Sequence, residues 1–218
     1  MDDAYILSHV DHTLLSASAS WKEIESICRE AIEFKTASVC IPPCYIKRIR
    51  EEFPNLNICT VIGFPLGYDV SDAKIEAAES AINDGADELD MVINITDVKN
   101  GDYGKVADEI AALRKIAGAR ILKVIVETCY LTDDKKIALC RIVTEAGADY
   151  IKTSTGLGTA GATMEDVVLF KANIGNGVKI KASGGIRTRE AMAAFLEAGC
   201  DRLGTSSAVK LLTGSAGA

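Results

Sequence analysis

A chain of 218 residues with 48% hydrophobic and 25% charged side chains can bury one sizeable core and falls in the size range of single α/β barrels. Disorder is thereby excluded, and one domain over residues 1–218 is the expectation. The formal charge of −7, without any basic cluster, argues against nucleic acid as a partner, while leaving room for a small anion held by a local positive field.

The N-terminus, Met1-Asp2-Asp3-Ala4, is acidic and has neither the basic nor the apolar stretch of a secretory signal. No apolar run reaches the ~18 residues of a membrane span, so the expected location is cytoplasmic, with no membrane partner. Short β-branched runs then alternate with stretches of helical period, which is the pattern of βα units around a parallel sheet. Eight strands are expected, at residues 7–11, 38–41, 58–63, 88–94, 120–127, 149–154, 178–182 and 202–204. Glycines before three of them, in Asp84-Gly85-Ala86-Asp87, Ala146-Gly147-Ala148-Asp149 and Ala198-Gly199-Cys200-Asp201, fit helix ends in the left-handed conformation. An open doubly wound sheet would show the same alternation, but the Gly-x-Gly-x-x-Gly turn after its first strand is missing. The expected fold is a (β/α)8 TIM barrel.

The seven cysteines (Cys28, Cys40, Cys44, Cys59, Cys129, Cys140 and Cys200) have no Cys-x-x-Cys spacing and read as reduced, buried thiols. The two histidines, His9 and His12, lack a nearby third ligand, so no metal is expected.

Barrel strands are buried on both sides, which makes a charged residue inside one informative. On the fourth strand Leu89, Met91 and Ile93 form an apolar face toward the helices, turning Asp90, Val92 and Asn94 inward. The same parity on the fifth, with Leu122, Val124 and Val126 outward, turns Lys123 and Glu127 inward. Lys152 and Lys181 end the next two strands, at the rim where barrel enzymes carry their chemistry. Lys179 shares the face of Lys181 but begins its strand, so Lys181 is the better candidate.

Three close lysines supply a mechanism. One ammonium lowers the proton affinity of another, and a neutral amine can add to an aldehyde or ketone to give an imine, an electron sink for the adjacent carbon–carbon bond. Asp90 is the natural proton carrier. Segments Ser154-Thr155-Gly156, Ser183-Gly184-Gly185 and Gly204-Thr205-Ser206-Ser207 follow the last three strands, and their backbone amides suit a phosphate. Phosphate contacts are expected at Gly156, Gly184, Gly185, Gly204, Ser206 and Ser207, mainly from backbone and without a dedicated basic side chain.

An ordered series of segments runs through nearly the whole chain: Val10-Asp11-His12-Thr13-Leu14-Leu15, Thr60-Val61-Ile62-Gly63-Phe64-Pro65, Glu88-Leu89-Asp90-Met91-Val92-Ile93-Asn94, Leu122-Lys123-Val124-Ile125-Val126-Glu127-Thr128, Ile151-Lys152-Thr153-Ser154-Thr155-Gly156 and Lys181-Ala182-Ser183-Gly184-Gly185-Ile186-Arg187. It resembles the deoxyribose-phosphate aldolase family. The resemblance implies reversible cleavage of 2-deoxy-D-ribose 5-phosphate to acetaldehyde and D-glyceraldehyde 3-phosphate, through a Schiff base and without a cofactor. It implies Lys152 as the Schiff-base lysine, Lys181 as the group that tunes it, Asp90 in proton relay with a water, and Lys123 as an accessory lysine. Asp11, Thr13 and Cys40 are implied as pocket residues around the reacting carbons. Two places depart from the pattern: Leu157 stands where some members have a basic residue, and residues 211–218 lack a tyrosine found near the end of some members. Other imine-forming barrels that take ketone donors, and a non-catalytic sugar-phosphate sensor, are the competing readings. The expected partners are sugar phosphate and aldehyde substrates, and a homodimer is compatible with the sequence.

Overall fold

The computed structural model describes residues 1–214; residues 215–218, the end of the tail lacking the tyrosine, lie outside the described residues. Asp2 sets how the chain begins. Its carboxylate accepts the Tyr5 amide at 2.7 Å and starts a short helix, α1 (Asp3–Leu7), where the sequence pattern suggested the first strand. Ile6 and Leu7 are buried as part of that helix, and the strand β1 runs instead over Val10–Thr13.

From there the alternation expected from sequence is observed: α2 (Trp21–Glu33), β2 (Ser38–Ile41), α3 (Ile46–Glu52), β3 (Ile58–Ile62), α4 (Ser71–Asp84), β4 (Glu88–Val92), α5 (Ile95–Asn100), α6 (Tyr103–Ala117), β5 (Ile121–Ile125), α7 (Asp133–Glu145), β6 (Tyr150–Lys152), α8 (Met164–Asn173), β7 (Lys179–Ser183), α9 (Arg189–Glu197), β8 (Arg202–Thr205) and α10 (Ala208–Thr213). Each strand pairs in parallel with the next, and β8 returns to β1, so the sheet closes as a (β/α)8 barrel. Gly85, Gly147 and Gly199 stand at positive φ between helix and strand, as their sequence context indicates.

Three strands end earlier than their apolar runs suggest. Asn94 caps α5 by accepting the Thr96 amide at 3.0 Å, which ends β4 at Val92. Glu127 takes a left-handed backbone conformation, past the end of β5 at Ile125. β6 keeps only three residues before its loop begins.

Most of the core lies between strands and helices, where Leu89, Met91, Leu122, Val124 and Ile151 meet helix residues such as Ile110, Leu139 and Phe170. A smaller group, Cys40, Cys59 and Val61, is buried with Leu15 and Phe64 packed against it. All seven cysteines are free, but Cys44 is exposed and Cys129 half-buried, against the expectation that all would be buried. Lys74 is a second departure from apolar packing: it donates to Glu109 and to the Val92 carbonyl, both at 2.9 Å, and thereby fastens α4 and α6 to the end of β4. Burial raises the Glu109 carboxyl above its ordinary range, against the opposing pull of Lys74. No helix among the described residues is long and apolar enough to cross a membrane.

Two glycines separate backbone strain from steric exclusion. Gly101 sits at φ 83 with open space around a hypothetical Cβ, whereas a Cβ on Gly67, at φ 72, would meet the Ile93 carbonyl oxygen at 2.1 Å. Gly101→Ala should therefore lose about 1–2 kcal/mol, the cost of a left-handed alanine, and Gly67→Ala clearly more, because the end of β4 must also move. Urea unfolding of both variants checks the order, and equal losses would contradict it.

Candidate active site

Parallel register assembles the charged residues. Asp90 on β4 lies beside Lys123 on β5, Lys152 on β6 beside Lys181 on β7, and Lys181 beside Arg202 on β8. All five side chains are buried. Asp90 is the common acceptor: its Oδ1 lies 2.8 Å from Lys123 Nζ, and its Oδ2 lies 2.7 Å from Lys152 Nζ and 2.6 Å from Lys181 Nζ. Asp11 takes the other side of Lys181 and pairs with Arg202 Nη1 at 2.5 Å, while accepting the Ser38 hydroxyl at 2.8 Å. Glu88 completes the group, 2.5 Å from Lys123 Nζ and 3.1 Å from Arg202 Nη1.

Removing these ions from water carries a penalty of several kcal/mol each, which only close opposite charges can offset. The balance appears in the protonation of each group. Burial disfavours the charge on Asp90, but Lys123, Lys152 and Lys181 outweigh it and hold the carboxyl well below the usual carboxylate range. Asp11 is also opposed by burial and is lowered by Lys181, Lys123 and Arg202. Burial likewise works against the ammonium of Lys181, yet Asp11 and Asp90 raise its pKa above the ordinary lysine value; Lys123 is raised well above its own, chiefly by Asp90 against burial. Both stay cationic across neutral pH.

The lysines differ in their surroundings. Lys123 contacts three carboxylates and Lys181 two, whereas Lys152 has one, Asp90. Lys152 also lines a cavity of about 530 Å³ at the C-terminal rim, whose wall includes Thr13, Gly156, Gly184, Gly185, Gly204, Ser206 and Ser207. Asp11, Cys40, Asp90, Lys123 and Lys181 lie outside that lining. Cys40 is buried in register with Cys59; a hydrogen bond with Cys59 lowers its thiol pKa, with Lys181 and Lys152 helping and burial opposing.

Several members of this site were not singled out in the sequence. Glu88 shares the inward parity of Asp90 and was available to the same argument. Cys59, Arg202 and Ser38 sit at or near strand starts, where parity is hard to count. Arg187 and Lys210 also line the cavity, from a loop and a short helix. Lys179, as expected, begins β7 and is exposed, with its Nζ 5.6 Å from the Tyr150 ring centre. The histidines do not meet: His12 Nε2 pairs with Glu30 at 2.7 Å, and His9 Nδ1 lies 2.8 Å from the Tyr5 carbonyl.

Two groups, Cys40–Cys59–Asp90 and Asp11–Cys59–Glu88, bring potential metal ligands within 4.8 Å of one another. Lys123 Nζ already lies 3.3 Å from Cys59 Sγ and 2.8 Å from Asp90 Oδ1. Its ammonium supplies the positive charge that these ligands would otherwise draw from an ion.

The profile of the DeoC/LacD family aldolases matches residues 5–212. A deoxyribose-phosphate aldolase from Clostridium botulinum (strain Alaska E43 / Type E3) is 61% identical over 215 residues, covering 98% of this chain and 97% of that one. Another, from Clostridioides difficile (strain 630), is 53% identical over 209 residues, 95% of each chain. Among solved structures, the tetrameric deoxyribose phosphate aldolase from Aeropyrum pernix aligns with a TM-score of 0.89 at 32% identity, covering 97% of this chain and 91% of that one. A buried lysine and carboxylate cluster beneath a rim cavity thus coincides with sequence similarity along almost the full chain, and the chain belongs to the DeoC/LacD family of aldolases, enzymes of the lyase class.

Proposed function

We propose that this aldolase cleaves 2-deoxy-D-ribose 5-phosphate reversibly to acetaldehyde and D-glyceraldehyde 3-phosphate through a Schiff base on Lys152. One observation carries the reading: Lys152 alone of the three buried barrel lysines lines the cavity, while its Nζ rests 2.7 Å from Asp90. Held by one carboxylate and flanked by the standing positive charge of Lys181, it is the amine able to leave its ion pair and attack a carbonyl.

The amine adds to C1 of the open-chain sugar and water leaves, giving a protonated imine. Removal of the C3 hydroxyl proton lets the C2–C3 bond break toward the imine, releasing glyceraldehyde 3-phosphate and leaving an enamine. Protonation at C2 and hydrolysis then free acetaldehyde and Lys152. Asp90 lies 2.7 Å from Lys152 Nζ, so it is the carboxylate positioned to pass protons in this cycle, directly or through a water. The imine supplies the electron sink, so the proposed cycle needs neither metal nor cofactor. The chain would act as one aldolase domain in the cytoplasm on sugar phosphate and aldehyde substrates, and a homodimer is compatible with it.

Borohydride added with acetaldehyde should attach an ethyl group to Lys152, and Lys152→Arg should abolish the mass increase. Peptide mapping that finds the label on Lys123 or Lys181 with Lys152 untouched would overturn the assignment.

Asp90→Asn should lower turnover by a factor on the order of 10² to 10⁴, the usual worth of a proton carrier, and should also change the acid response of stability. A carboxyl lowered from its ordinary 3.8 contributes stability above that pH and loses it as pH falls through the lower folded value. The gap in urea midpoint between wild type and Asp90→Asn should be constant from about pH 5 to 7 and narrow below 3.8. A gap unchanged under strong acid would show that Asp90 is not held ionised.

The proposed phosphate site is the wall formed by Gly184, Gly185, Ser206 and Ser207, which line the cavity together with Arg187 and Lys210. Losing two charge-assisted hydrogen bonds costs about 3 to 6 kcal/mol, a factor on the order of 10² to 10⁴ in rate. Deoxyribose without phosphate should be poorer in kcat/KM by about that factor, and Ser207→Asp should harm the phosphorylated sugar far more than the plain one. Equal harm to both would move the phosphate elsewhere.

A further inference from the structure

Glu127 joins a strained backbone to a buried, fully engaged side chain. Its φ of 53 and ψ of 68 place a residue with a Cβ in the left-handed region, where glycine is the unstrained choice. The side chain is 2% exposed, and both carboxylate oxygens face one residue of the loop after β6. The Thr155 amide lies 3.3 Å from Oε1 and 3.2 Å from Oε2, and the Thr155 hydroxyl donates to Oε2. That hydroxyl in turn accepts the Leu157 amide at 3.0 Å.

The same loop is fastened on its far side. The Ala162 amide donates to the Ser183 and Gly184 carbonyls at 3.0 and 3.1 Å, and Gly161 approaches Gly184 so closely that a Cβ would meet its carbonyl oxygen at 2.2 Å. Thr155, Gly156 and Leu157 therefore form a section of cavity wall held between the end of β5 and the loop after β7. A Cβ on Gly156 would lie 3.6 Å from Gly184 Cα, so a small shift of Thr155 changes the spacing of the two glycine segments directly.

We propose that Glu127 is a positioning residue that fixes the Thr155–Leu157 wall at the spacing an anionic substrate end requires. It rests on the reading that the phosphate binds at this end of the cavity. The carboxylate works from behind the wall: its oxygens are taken up by Thr155, and the anion meets backbone. Lys152 does not depend on this clamp, because β5 is tied to β6 through backbone alone, with the Val126 amide on the Lys152 carbonyl at 3.0 Å and the Thr128 amide on the Thr153 carbonyl at 2.9 Å. Removal of the side chain should loosen the wall and leave the nucleophile in place.

Glu127→Gly removes the clamp while relieving the backbone, and Glu127→Gln keeps one acceptor oxygen of similar reach. Steady-state kinetics on deoxyribose 5-phosphate and plain deoxyribose, with acetaldehyde–borohydride labelling of Lys152, tests the proposal in the full chain. Glu127→Gly should raise KM for the phosphorylated sugar by about tenfold or more, as for one lost charge-assisted hydrogen bond. It should leave kcat/KM on plain deoxyribose within about twofold and Lys152 labelling intact, since neither draws on that bond. Glu127→Gln should recover part of the loss. An unchanged KM for the phosphorylated sugar in Glu127→Gly, an equal loss on both sugars, or loss of labelling would each overturn it. The wild type separates this from the underlying reading: if it handles both sugars alike, the phosphate site itself is refuted, whatever the variants do.

Discussion

One carboxylate accepting three ammonium groups organises this enzyme. Asp90 draws Lys123, Lys152 and Lys181 to within 2.8 Å inside the barrel, and an arrangement of that kind is a cost to folding that well-packed apolar side chains would avoid. The barrel supports it in two ways. Asp11, Glu88 and Arg202 surround the group with further opposite charges, and the closed sheet fixes every participating strand between two hydrogen-bonded neighbours. Taking away Asp90 leaves Lys152 without its one carboxylate, and removing any other member shifts the charge balance on those that remain, so the set behaves as a unit.

Much of this was legible in the sequence because a strand offers only two faces. An Asp between Leu89 and Met91 on β4, and a Lys between Leu122 and Val124 on β5, can point only inward, and there the two meet. Position along the strand distinguished Lys181 from Lys179, exposed at the start, although Lys181 is buried in the middle of β7 and does not end it. Alternation loses its meaning where strands begin and end. The N-cap at Asp2 turned an apolar run into a helix, Asn94 ended a strand by capping the next helix, and Glu127 left the sheet through a conformation that its residue type disfavours. Arg187, Lys210 and Lys74 lie on loops or helices, where no alternation marks a buried or cavity-facing charge. Lys74 also shows that a buried ion pair can serve architecture alone, since its partners are a helix carboxylate and the last carbonyl of β4.

The site divides by depth. Beneath the cavity, side-chain charges hold one another in a fixed pattern; around its mouth, glycines and serines present backbone. The first region suits bond breaking, which needs few groups placed accurately. The second suits recognition of a charged substrate end. Lys152 alone among the barrel lysines belongs to both, anchored below by Asp90 and open to the cavity above.

Leu157 shows what this division permits. Its backbone is anchored through Thr155, yet its side chain is 64% exposed at the cavity edge. A position with a fixed main chain and an unburdened side chain can accept substitution at little cost to folding, while every change there alters the edge of the cavity. The ion cluster is the opposite case, since each residue constrains the others. Under the proposed reaction, variation in acceptor preference would fall at the rim, where descendants of this protein could diverge in substrate while the lysine cluster beneath is inherited unaltered.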